Sequence, residues 1–128
     1  MNQNTQQRAI VPIYTSRGDA EAFLVYPYLF NRLGEWIGWV NSERQVYSVL
    51  GFFVGDLTAE PRIIRKRITA TLKPRKTPPP PPAKLPVPAT IPLPPQMGDL
   101  HFGVIDILMD DPQRLHTLDA GEQRQDID

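Results

Sequence analysis

The residues with the most chemical potential lie in one run. From Arg62 to Lys76 there are seven basic residues (Arg62, Arg65, Lys66, Arg67, Lys73, Arg75 and Lys76) and no acidic one. Cations at that density attract phosphate groups, whether on a membrane surface or on another polyanion. Arg62, Arg65, Lys66, Arg67 and Lys73 form the candidate anion-binding set. They alternate with Ile63, Ile64, Ile68 and Leu72, so charge can fall on one face and an apolar row on the other. The competing reading is a solvated edge strand plus an arm that pairs with the acidic C-terminal tail, where residues 97–128 carry eight acidic residues against Arg114 and Arg124. Nucleic acid is not the expected partner. Tyr14, Tyr26, Tyr28 and Tyr47 could stack on bases, but aromatic residues recurring at repeat positions read as core.

Catalytic and metal chemistry find little support. His101 and His116 lie near Asp106, Asp110 and Asp111, yet no spacing puts both histidines and a carboxylate on one helical face. A hydrolytic triad needs an oriented serine, and Ser16, Ser42 and Ser48 all sit in turns or strand starts. No phosphate loop or dinucleotide fingerprint occurs. The absence of cysteine removes thiol nucleophiles, thiolate metal sites and disulfides. The sequence therefore points to a non-enzymatic binding or interaction module without metal or cofactor.

What must position these residues is a repeated unit. Leu29-Phe30-Asn31-Arg32-Leu33-Gly34-Glu35-Trp36-Ile37-Gly38-Trp39-Val40 matches Val46-Tyr47-Ser48-Val49-Leu50-Gly51-Phe52-Phe53-Val54-Gly55-Asp56-Leu57, aliphatic for aliphatic and ring for ring. A weaker copy begins at Ile13-Tyr14-Thr15, with Gly18-Asp19 as its turn and Ala20 and Ala22 replacing the first Trp and second Gly. A fourth, more degraded unit starts at Ile63-Ile64. Each unit reads as a β-hairpin: β-formers, a turn around Asn or Ser and Gly, then a second short strand. The first glycine suits the positive φ of a hairpin turn. The second lies inside a strand, where glycine marks a bend, a bulge or close approach of another backbone. The ring-bearing residues Trp36, Trp39, Phe52 and Phe53, with Ile37, are expected to line the centre, which fills with side chains or holds a small apolar group.

These units resemble the four-fold β-flower proteins, small bacterial domains with short hairpins around a pseudo-four-fold axis. The resemblance covers about residues 10 to 67. It implies an all-β, pseudo-symmetric shallow barrel, similar in outline to the phosphoinositide-binding tubby-like domains. The chain departs from the pattern where Asp56 replaces a ring and where the first unit lacks its tryptophan.

The expected organisation is a disordered N-terminus (1–9), a hairpin-repeat domain (10–73), a proline-rich linker (74–96) and an acidic tail (97–128). Residues 62–73 read as a final strand pair at a charged sheet edge. Eleven of the fifteen prolines fall between Pro74 and Pro95, and consecutive prolines favour polyproline II. Such a segment would be a semi-rigid spacer of roughly 70 Å. Its Arg75-Lys76-Thr77-Pro78-Pro79-Pro80-Pro81 stretch also fits proline-rich ligands of aromatic grooves, and so a protein partner. In the tail, His101–Leu108 suits either a short helix or a strand returning to the sheet, Pro112 ends it, and the last residues read as disordered. With no secretion signal or membrane-length apolar run, the expected location is cytoplasmic.

Overall fold

The computed structural model describes residues 9–67 and 73–119. It is all-β. Among these residues, eight strands form one curled antiparallel sheet in strict sequence order: β1 (Val11–Tyr14), β2 (Ala20–Val25), β3 (Tyr28–Asn31), β4 (Trp36–Val40), β5 (Gln45–Ser48), β6 (Phe53–Leu57), β7 (Ile63–Lys66) and β8 (Val104–Asp106). One helical turn, α1 (Ile107–Asp110), and a 3-10 turn over Pro112–Arg114 follow.

The repeat has a physical basis. In each of the first three hairpins the register slips by one residue at the same place, between Ile13 and Tyr14, Leu29 and Phe30, and Val46 and Tyr47. A bulge there bends the strand and increases its twist, which curls the sheet. Ile13, Leu29, Val46 and Ile63 occupy equivalent positions and are all 0% exposed. Around them Leu24, Val40, Leu57 and Leu108 complete a buried aliphatic cluster at the barrel centre.

The two glycine positions do different jobs. Gly34 and its counterparts hold the fourth place of a five-residue turn in which the first residue bonds the fourth and fifth: Gly34 N to Asn31 O at 3.0 Å and Asn31 N to Glu35 O at 2.8 Å. Its φ of 82° is the left-handed conformation that favours glycine. Asn31 Oδ1 also accepts from Leu33 N and Glu35 N, so the side chain locks the loop. The inter-unit turn Asn41–Gln45 has the same bonds but carries Arg44 at φ 63°. There Arg44 donates to the carbonyls of Leu57 and Thr58. The in-strand glycines are a matter of space. A Cβ on Gly38 would lie 2.5 Å from Tyr47 O, and one on Gly55 2.4 Å from Ile64 O. Each lets the first strand of the next hairpin press close.

Three expectations change. β7 is not an edge strand, because β8 from the tail pairs along it (Ile64 with Asp106, Arg65 with Ile105, Lys66 with Val104) and supplies the second strand of the fourth hairpin. The expected partner within residues 68–72 lies outside the described residues, as do the expected disordered ends, residues 9 and 119 apart. The tail segment is both things it could be, three residues of strand and then one helical turn whose N-cap is Asp106. The proline-rich segment, lastly, is not a free spacer. Lys76 N donates to Gly51 O, and Leu85 N to Gly34 O, each at 2.9 Å, so it runs over the barrel as a belt.

Candidate anion-binding site

The run from Arg62 to Lys76 splits into three environments. Arg62 is no part of a basic surface, which corrects its place in the candidate set. It is 3% exposed, and its guanidinium is tied to Glu60 at 2.9 Å, Ser16 Oγ at 2.9 Å and Gly98 O at 2.8 Å. Ser16 in turn donates to the fully buried Asp106 carboxylate from both its amide (2.6 Å) and its hydroxyl (2.7 Å). The chain Glu60–Arg62–Ser16–Asp106 thus joins the first hairpin turn to the last strand. Each buried charge has an opposite charge or hydrogen-bond donors against it, although Arg62 Nε has no hydrogen-bond partner among the described residues.

Arg65, Lys66 and Arg67 remain together. At the end of β7 they line a shallow groove together with Ile105 of β8, its apolar member, and Arg114. Burial is the main cause lowering the pKa of Arg65, the nearby Arg114 adds to it, and Asp111 opposes both. An arginine nonetheless stays charged in neutral solution. Its Nη1 is buried and has no hydrogen-bond partner among the described residues. Arg114 is paired with Asp111. Beside the groove, Arg67 donates to Phe102 O, and the Phe102 ring stands 84% exposed at the tip of the turn before β8.

Lys73, Arg75 and Lys76 lie on aromatic faces. Lys73 Nζ sits 5.1 Å above the Phe53 ring, whose other cationic neighbour is Arg65 at 6.0 Å. Arg75 covers Phe52 at 4.9 Å and donates to Leu50 O at 2.7 Å. Lys76 stands 6.0 Å from the Tyr47 ring. Tyr47 stacks on Trp39 at 4.8 Å and meets Phe53 edge-on at 5.8 Å, giving an aromatic row across β4, β5 and β6 that attracts cations through the ring faces.

The aromatic candidates are therefore not at the barrel centre, which the aliphatic side chains fill. Trp36 belongs to a separate cluster with Phe30 and Val49, against which Trp39 packs. Phe52 is half exposed and Phe53 half buried. The cause is the bulge. Pairing of Phe30 with Trp36 and of Leu29 with Gly38 skips Ile37, so Ile37 enters the aliphatic cluster and Trp36 turns away from it.

Sequence reasoning did not find Arg114 and Phe102. Neither has a local signal: Arg114 lines the groove and Phe102 stands beside it only because β8 pairs with β7. The candidate metal residues do not converge: no group of three or more metal-capable side chains occurs among the described residues. Nor is any helix among them long and apolar enough to cross a membrane. Comparison of the chain with protein-family models, with curated proteins and with solved structures gave no match.

Proposed function

We propose that the protein is a non-catalytic docking module of the four-fold β-flower type, and that the open end of its β7–β8 pair binds an anionic membrane surface. The family reading rests on the repeated hairpins with equivalent bulges and equivalent buried aliphatics. The binding reading rests on one observation. Arg65, Lys66, Arg67 and Arg114 converge on a groove beside the exposed ring of Phe102.

Basic residues near an anionic leaflet contribute roughly 1 kcal/mol each. An exposed aromatic ring beside them can enter the interface, where its apolar body leaves water. A purely polar polyanion would make no use of that ring, which favours a membrane. Co-sedimentation with vesicles containing anionic phospholipid, across a salt series, tests this. Binding should appear at low salt, weaken as salt rises and be absent from neutral vesicles. Failure to bind anionic vesicles at low salt refutes the reading.

A further inference from the structure

The proline-rich belt meets the barrel in a register that neither its composition nor the hairpin repeat predicts alone. Lys76 docks on Gly51, Leu85 on Gly34, and Pro94 on Gly18. The belt residues are nine apart (76, 85, 94), and they visit the three turn glycines in reverse order. Polyproline II has three residues per turn and a rise of about 3.1 Å, so nine residues are three full turns and roughly 28 Å. One face of the belt therefore returns to the barrel at each of the first three hairpins. The burial pattern agrees: Pro79, Pro82, Leu85, Pro88, Pro94 and Met97, spaced by threes or a multiple of three, are half buried while most residues between them are exposed.

The first two docking points are chemically the same. The belt amide donates to the glycine carbonyl at 2.9 Å, and the belt carbonyl covers the glycine Cα. A Cβ on Gly34 would lie 2.1 Å from Leu85 O, and one on Gly51 2.0 Å from Lys76 O. At the third point Pro94 has no amide hydrogen, and its ring packs 3.1 Å from where a Gly18 Cβ would be. Between these points two tyrosine hydroxyls donate to belt carbonyls, Tyr28 to Pro80 at 2.9 Å and Tyr14 to Pro92 at 2.7 Å. Leu85 packs against the cluster of Phe30, Trp36 and Val49. Aromatic packing with hydroxyl donors aimed at free carbonyls is how a groove holds a polyproline II ligand.

We propose that the turn end of the barrel is a polyproline II binding site of three repeated subsites, filled in cis by residues 74–97, and that it takes the same segment from a second copy once the cis segment is released. Its ligand is a proline-rich strand with a leucine and a free amide at the middle point and a second free amide nine residues before it. A second copy is the trans occupant because its segment already has that register. The bonds described here run from the belt to residues 9–67, so another copy's belt makes them without any new interface. In the intact chain the tether supplies an effective concentration of roughly millimolar, which keeps the site closed. This inference does not depend on the membrane reading, since the docking points lie on other hairpins.

The test uses the full chain and a labelled synthetic peptide of residues 74–97. Replacing Lys76→Pro and Leu85→Pro removes both amide donors within a segment already rich in proline. The released chain should bind the peptide saturably, at least tenfold more tightly than the wild-type chain does. A peptide carrying the same two prolines should bind at least tenfold more weakly. A folded released chain that ignores the peptide, or that binds both peptides equally, overturns the proposal. Should the variant not fold, amide exchange in the wild-type protein decides: Lys76 and Leu85 should exchange at least tenfold more slowly than Lys84 and Val87, and equal rates overturn it.

Discussion

The first three hairpins and the fourth reach the same geometry by opposite routes. Each of the first three is closed by a five-residue turn, and its strands are neighbours in the chain. In the fourth, residues 67–103 separate β7 from β8, and the connection travels back across the other three hairpins before returning. Local turns cost little chain entropy, whereas a long excursion must be offset by contacts made along the way. The belt makes those contacts at the turn glycines. The glycine that closes each local hairpin is thus also the foothold of the segment that closes the last one.

Breaking the contact between hairpins should be the most damaging change. Gly55→Val places a side chain against Ile64 O and should destabilise the domain by about 3 kcal/mol or more, read by denaturant unfolding. Asp106→Ala strikes the join between first and last hairpins. It removes the helix cap and both Ser16 bonds, and so cuts the link from Arg62 through Ser16 to the last strand, for a loss of about 3 kcal/mol. Tyr28→Phe removes only one belt bond and should cost about 1 kcal/mol or less, while Leu33→Ala, at an exposed turn tip, should change stability little.

Alkaline pH probes the aromatic row more gently. Burial raises the pKa of Tyr47 above the usual value of 10.0, with Glu43 and Asp56 adding to the rise. The folded state therefore prefers the neutral phenol. Its contribution is complete below pH 10.0 and is lost as pH climbs through the higher folded value. Tyr47→Phe should flatten that part of the pH–stability curve.

Much of the local hairpin architecture was legible because its causes are local. Strand-forming pairs such as Ile13-Tyr14 and Val46-Tyr47, and glycines at 18, 34 and 51, fix turns and strands within a few residues. Arg44 escaped notice because it takes a glycine-like conformation held by carbonyls thirteen and fourteen residues away. β8 is three residues long and owes its strand conformation to β7, so its sequence could not choose between helix and strand. The belt was visible as a run of prolines, but its docking depends on glycines far away in the chain. The basic run was visible as charge, yet its first member turns inward because Ser16, Glu60 and Gly98 surround it.

The proline-rich segment is part of the barrel rather than a tether. The chain has no cysteine, so two can be introduced cleanly, at Leu33 and Lys84, next to the Gly34–Leu85 docking point. With spin labels on both, the doubly labelled protein should show strong dipolar broadening compared with the sum of the two singly labelled spectra. A spectrum equal to that sum would mean that the segment stands away from the barrel, and would contradict the account.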